Sequence, residues 1–319
     1  RGGVFAAFLG TVAFLSPEDQ ALVAGFVVNK FRGDLDLLKP GLRDLERLSG
    51  RRVFGTLPWH PDVWLDSEDA LDLQGRRTAQ DGARRVAVVR LPRISNFTDV
   101  DALGLEPGLD VVFASHPSAV ADADLLVLPG TRATISDLAW LRSRGLDRAV
   151  LAHAAAGKPV LGICGGYEML LESIDDSLES GDGVIAGLGH LPGVVRFAAD
   201  KVLARPHSTW QGNAVSGYEI HHGIVEGVVD DVAEDDGSFP GGSVRGPVWG
   251  TIWHGTLECD DYRRALLDDV AATTGARWSA DPGAAPFAAR REAMIDILAD
   301  ALETHVDVDA LLSLVKETT

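Results

Sequence analysis

Two side chains stand out for the chemistry they could do together, Cys164 and His254. Cys164 lies in the run KPVLGICGGYEML that starts at Lys158, between a short apolar stretch, Val160 to Ile163, and a helix that begins about Tyr167. Gly162, Cys164, Gly165 and Gly166 make a G-x-C-x-G turn between them. This is the logic of a nucleophile elbow with Cys in place of Ser: a sharp strand-to-helix turn lifts one side chain clear of a sheet. The flanking glycines supply close approach and unusual backbone angles. A thiol at a helix N-terminus also feels the positive end of the dipole, which favours the thiolate. A Cys alone is more often a small buried structural residue. A His partner elsewhere tips the reading to a nucleophile, and His254, at the end of the strand-like run VWGTIWHGTL from Val248, is that partner. Cys259 is read as structural, because Asp260 and Asp261 beside it oppose a thiolate.

A nucleophile of this kind needs donors for the oxyanion it creates. The turn Pro129-Gly130-Thr131-Arg132 follows the strand Leu125 to Leu128. Its N–H groups at Gly130 and Thr131, with that of Gly165, are expected to form an oxyanion hole. Thr134 is expected to cap the next helix, with Asp137 at its N3 position.

These residues need a sheet to carry them. Strands are expected at Val86 to Val89, Asp110 to Ala114 and Leu125 to Leu128, and a helix at residues 146–156. Strands alternating with helices predict a mostly parallel, doubly wound α/β sheet. Beyond Gly187 the pattern changes to short strands and turns, then a helix from Asp260 to Thr273. A last helix carries the apolar stripe Met294, Leu298, Ala301 and Leu302.

Upstream, Val4 to Leu15 is an apolar run of 12 residues, too short to span a bilayer, and is expected to be a buried helix. Ala21 to Val28 and Arg52 to Leu57 read as strands, with a helix carrying Leu38, Leu42, Leu45 and Leu48 between them. Asn29 to Asp34 follows a strand end, where ligands bind in such sheets, so Asn29 and Lys30 are candidates for a nucleotide edge. A solvated turn is the equal alternative. The one Gly-Lys pair, Gly157-Lys158, is followed by Pro159, so no P-loop is present. The expected domains are 1–75, a linker at 76–84, 85–275, and a C-terminal helical extension at 276–319.

With 319 residues the chain can form two domains. A net charge of −18 argues against nucleic-acid or anionic-membrane partners. Two cysteines make no disulfide framework, and no Cys/His cluster has zinc spacing, so no metal is expected and a reducing cytoplasm fits best.

The elbow, the PGTR turn and the strand-end His together resemble class I glutamine amidotransferases. More narrowly, RLPRISNFTD, LPGTRATISDL, GICGGYEML, GYEIHHG and WGTIWHG resemble the glutaminase domain of the cobyric acid synthases. RGGVFAAFLGT, VNKFRGD and GTLPW resemble the end of that family's ATP-binding amidoligase domain. The resemblance implies a flavodoxin-like glutaminase domain preceded by the C-terminal part of a P-loop NTPase-like, dethiobiotin synthetase-like domain whose P-loop segment lies before Arg1. It implies glutamine-driven amidation of corrinoid carboxylates, with adenosylcobyrinic acid a,c-diamide as substrate and ATP with Mg for the ligase step. It places the nucleophile at Cys164 and the base at His254, and puts GYEIHHG near the site, so that Tyr218 and His221 are candidates for glutamine positioning. Many class I glutaminases carry a Glu two residues after the His; here Thr256 stands there, which leaves the third group undefined. Glu258 is a weak candidate and reads more readily as a surface carboxylate. The alternatives are an a,c-diamide synthase, a glutaminase that amidates a lipid precursor, an inactive binding scaffold, or a Cys-based hydrolase of esters or peptides.

Overall fold

The computed structural model describes residues 3–60, 63, 83–178, 180–181, 183–227, 239–275 and 278–316. They form two compact units, residues 1–65 with 289–319, and residues 66–288.

In the first unit, helix α1 (Val4–Phe14) forms as expected, but only Val12 is buried in it. Phe5, Phe8 and Leu9 share its stripe and pack on Val12, Phe26 and Leu45, while Phe14 is 94% exposed. An apolar helix is buried all round only when layers cover every side; here one layer does. Pro17 at the first turn and a Ser16 hydroxyl accepting from Asp19 N–H start a second helix, α2 (Pro17–Leu22). Ala21 and Leu22 therefore end a helix, and the strand expected from Ala21 begins later, as β1 (Gly25–Phe31). Asp34 caps α3 (Leu35–Ser49), which stops at Gly50 in the left-handed region. β2 (Arg52–Pro58) pairs parallel to β1.

The end of the chain belongs to this unit rather than forming a separate extension. Val306 bridges Gly55 antiparallel, Asp307 N–H donates to Phe54 O at 2.8 Å, and Asp307 pairs with Arg52. A Cβ on Gly55 would strike the His305 carbonyl, so glycine is what lets the segment lie against β2. The stripe on the helix Phe287–His305 buries Met294 and Ala301, with Leu302 41% exposed. Most of the expected linker at 76–84 lies outside the described residues.

The second unit opens with β3 (Arg84–Val89), short helix α4 (Asp101–Leu105), β4 (Leu109–Ala114), β5 (Leu125–Leu128), α5 (Thr134–Ser143), α6 (Leu146–Ala155), β6 (Val160–Ile163) and α7 (Gly165–Leu170). There follow β7 (Ser173–Asp176), β8 (Gly183–Ala186), β9 (Val194–Ala204), the hairpin β10 (His207–Trp210) and β11 (Asn213–Ser216), β12 (Glu219–Glu226), β13 (Gly242–Arg245), β14 (Val248–Thr251) and α8 (Asp260–Thr274). The main sheet runs β13-β14-β6-β5-β3-β4 and is parallel except for β13. All four residues of β5, β6 and β14 are buried, as continuous apolar runs covered on both faces require. A smaller sheet, β12-β9-β7-β8, follows. In register, Leu128 faces Gly162 and Ile163 faces Thr251, so Pro129, Cys164 and Ile252 leave the sheet side by side at its carboxyl edge.

Candidate active site

The elbow at the end of β6 is a strained turn. Cys164 itself adopts φ 49° and ψ −113°, a backbone state that costs a non-glycine residue about 1–3 kcal/mol. The strain thus sits on the Cys, and the glycines around it provide close approach. A Cβ on Gly166 would collide with Leu128 O, and one on Gly162 would lie 2.8 Å from Tyr167 N. One on Gly165 would lie 2.7 Å from Thr131 Cγ2 and 3.2 Å from Thr131 N. Helix α7 therefore starts directly against the PGTR turn.

That turn is pinned from a third loop, Leu91 to Val100. Ile94 bridges Thr131, Ser95 N–H donates to Gly130 O at 2.9 Å, and Arg132 N–H donates to Arg93 O at 3.1 Å. The buried Asp137 accepts from the Thr131 hydroxyl at 2.6 Å and from Arg93 N–H at 3.1 Å. The capping expected of Thr134 and Asp137 is therefore replaced: Ala133 is the residue before α5, Asp137 holds the turn, and the Thr134 hydroxyl donates to Glu168 at 2.8 Å.

His254 leaves the end of β14 three residues late. Its backbone bridges Tyr218, with Tyr218 N–H to His254 O at 3.0 Å and His254 N–H to Tyr218 O at 2.9 Å. Its ring is 1% exposed and hydrogen-bonded through Nδ1 to Asp99 Oδ2 at 2.7 Å, while Asp99 Oδ1 accepts from Gly255 N–H at 2.7 Å. Nδ1 so engaged leaves Nε2 as the ring nitrogen available to Cys164, whose nearby thiol helps to raise the imidazole. Gly130 closes on the ring edge, where a Cβ would lie 3.0 Å from His254 Cε1.

Asp99 is thus the carboxylate on His254, and neither Thr256 nor Glu258 takes that place. The Thr256 hydroxyl is turned to the buried Tyr262. The signal for Asp99 was present as the last residue of RLPRISNFTD, but no spacing rule links it to His254, 155 positions away.

The electrostatics follow from burial and pairing. Burial pulls His254 down, but the charge and hydrogen bond of Asp99, with Cys164, outweigh it and hold the imidazole up at about 10. Burial pushes the Cys164 thiol above its ordinary value, against the hydrogen bond from His254. His254 is the largest of the groups that oppose this rise, and the Gly165 N–H is a smaller one. Burial pushes Tyr218 up to about 12, helped by the charge of Asp99.

The remaining candidates fall in different places. Tyr218 stacks on His254, with ring centroids 5.2 Å apart and 24° between planes, and its hydroxyl accepts from Asn96 Nδ2 at 2.6 Å. His221 lines a cleft of about 310 Å³ with Tyr167, Glu219, Gly223 and Ile252. Its Nδ1 donates to Gly223 O at 2.7 Å, and its Nε2 lies 3.8 Å from Glu219. His222 is bound to Ala198 O. Glu168, one turn after Cys164 and 3% exposed, was not singled out by the sequence reading. In the first unit, Lys30 has φ 56° and lies with Arg32 over the Trp59 ring, at 5.7 and 4.1 Å, where β1 and β2 end; Asn29 Oδ1 accepts from Lys30 N–H. Gly157-Lys158 is no phosphate loop, since Lys158 Nζ donates to the carbonyls of Ala121 and Ala123. Among the described residues, no group of three metal-ligating side chains comes together, and no helix is long and apolar enough to cross a membrane.

Residues 85–262 match the CobB/CobQ-like glutamine amidotransferase domain. The chain belongs to that family. Within this amidotransferase family, the chain is 65% identical over 316 residues to the cobyric acid synthase of Mycolicibacterium vanbaalenii, covering 98% of this chain and 62% of that protein. It is 63% identical over 318 residues to that of Mycolicibacterium gilvum, covering 99% and 62%, and 62% identical over 319 residues to that of Mycobacterium marinum, covering 99% and 62%. The chain therefore spans under two thirds of the length of these amidotransferase relatives.

Proposed function

We propose that residues 66–288 are the glutaminase of a cobyric acid synthase-type amidotransferase, and that Cys164 and His254 carry the hydrolysis. The observation that supports this most is the buried line from Asp99 through His254 Nδ1 to a Cys164 held in a strained elbow. Cys164 Sγ attacks the side-chain amide carbon of glutamine. The oxyanion that forms is received by the N–H groups of Thr131 and Gly165, with Gly130 shaping the turn; one such donor lowers the barrier by about 3–4 kcal/mol. His254 gives its Nε2 proton to the departing ammonia, and the C–N bond breaks to leave a thioester. His254 then takes a proton from water, which attacks the thioester and releases glutamate. Asp99 keeps the proton-bearing Nδ1 turned away from the thiol through both steps. The cleft beside His221 suits the amino-acid end of glutamine.

The ammonia would amidate peripheral carboxylates of a corrinoid such as adenosylcobyrinic acid a,c-diamide, with ATP and Mg activating the carboxylate. That part rests on the family resemblance and the names of the relatives. The described residues contain no Gly-rich phosphate loop, and Asn29 and Lys30 would form only the edge of a nucleotide site.

The test is glutamate release from glutamine by the purified chain, together with labelling by a diazo-ketone analogue of glutamine. Wild type releases glutamate and takes the label at Cys164. Cys164→Ser and His254→Ala each lose about 10³-fold or more, while His221→Ala and His222→Ala lose far less. Equal losses at the three histidines would remove His254 as the base. Absence of both turnover and label would favour an inactive scaffold, and cleavage of esters without glutamine would favour a hydrolase.

A further inference from the structure

The loop that supplies Asp99 grips the base a second time. Asn96 stands three residues before Asp99 with φ 49° and ψ 35°, the left-handed region that glycine occupies at least cost. A position with that backbone gains from a side chain only if the side chain does something. Here the Asn96 amide donates to the Tyr218 hydroxyl at 2.6 Å, and the Tyr218 ring lies flat against the His254 imidazole. Tyr218 and His254 also exchange both backbone hydrogen bonds. Gly255, at φ 74°, turns the chain directly after His254 beside the Tyr218 ring. The imidazole is thus held in its plane by Asp99 and over its face by Tyr218, and both holds originate in one four-residue stretch, Asn96 to Asp99. The titratable groups around this assembly are Asp99, Cys164, Glu258 and His221.

We propose that Asn96 and Tyr218 form a latch that fixes the rotation of the His254 ring, so that Nε2 stays on Cys164 Sγ; Tyr218 is then a positioning residue for the base rather than a contact for glutamine. The inference rests on the Cys164–His254 reading above. A ring free to rock about its Asp99 bond spends less time aligned with the thiol, and misplacement of a reacting group by about 1 Å can cost on the order of 10²-fold in rate.

Two mild variants isolate the latch. Asn96→Gly keeps the left-handed backbone and removes the amide, and Tyr218→Phe keeps the stack and removes the hydroxyl. Each is expected to lower kcat for glutamine hydrolysis by about tenfold to a hundredfold with KM unchanged within about twofold. The double variant is expected to lose no more than either single one, because both remove the same bond. A second readout needs no glutamine: the rate of Cys164 alkylation by iodoacetamide against pH. Its midpoint is expected to move upward in both variants, since a poorly placed imidazole stabilises the thiolate less. Circular dichroism matching wild type excludes unfolding as the cause. A raised KM with unchanged kcat would make Tyr218 a glutamine contact and overturn the latch. So would losses that add in the double variant, or an alkylation midpoint that does not move. If the chain hydrolyses no glutamine at all, the alkylation profile still decides the latch, and the failure then belongs to the glutaminase reading.

Discussion

In the unit of residues 66–288, parallel strands β14, β6, β5 and β3 end at one edge and deliver His254, Cys164, the PGTR turn and Asp99 to one place. In the unit of residues 1–65 and 289–319, two parallel strands end at Phe31 and Pro58, where Lys30 and Arg32 rest on the Trp59 indole. The sequence pattern of strand and helix is alike in both. What differs is the number of strand ends that meet, and with it the burial: Asp99 and His254 are 3% and 1% exposed, whereas Phe14, Leu22 and Leu37 are more than 80% exposed. A catalytic constellation needs several chain segments converging in a water-poor place, because only there does a carboxylate shift an imidazole so far.

The sharpest way to break this contrast is to remove the shift. Asp99→Asn is expected to cost about 10²–10⁴-fold in glutamine hydrolysis. The imidazole, held up at about 10 by Asp99, would then titrate lower. The alkaline limb of the pH–rate profile, where His254 loses the proton it gives to ammonia, would come down with it. The same shift enters stability. A His raised in the fold stabilises it fully below its ordinary value of 6.5, and that contribution fades as pH climbs toward about 10. Thermal melts from pH 6 to 10 are expected to lose this slope in Asp99→Asn; an unchanged slope and profile would show that Asp99 does not set the base.

The next effect is on packing. Gly166→Ala places a methyl group on Leu128 O and is expected to destabilise the second unit by about 3 kcal/mol, seen as a lower melting temperature with loss of glutaminase activity. Full stability would show that elbow and donor turn do not touch as closely as their backbones indicate. The smallest effects on glutamine hydrolysis are expected in the first unit. Leu45→Ala, in the cluster with Val12 and Phe26, should cost about 2–4 kcal/mol of that unit's stability. It should appear as faster hydrogen exchange over residues 3–60 with kcat/KM for glutamine unchanged. Phe14→Ser, at a 94% exposed position, should change stability by less than about 0.5 kcal/mol. A larger loss there would mean that Phe14 is covered in solution.

Much of the site could be read before folding was known. Cys164 in its glycine turn, the PGTR donors and the strand-end His254 are local patterns, each written in fewer than a dozen neighbouring residues, and local patterns survive as sequence. The strands LLVL and VLGI declared themselves as buried because nothing polar interrupts them. Tertiary structure decided the rest, because it depended on residues far apart in the chain. Asp99 meets His254 across 155 positions, and Asn96 meets Tyr218 across 122. With Thr at 256, the carboxylate on His254 comes from the distant Asp99 instead, and the tail at Val306 and Asp307 joined β2 rather than standing alone. Helix α1 was apolar enough to be buried, yet burial needs covering layers, and the surroundings of a helix are not encoded in its own residues.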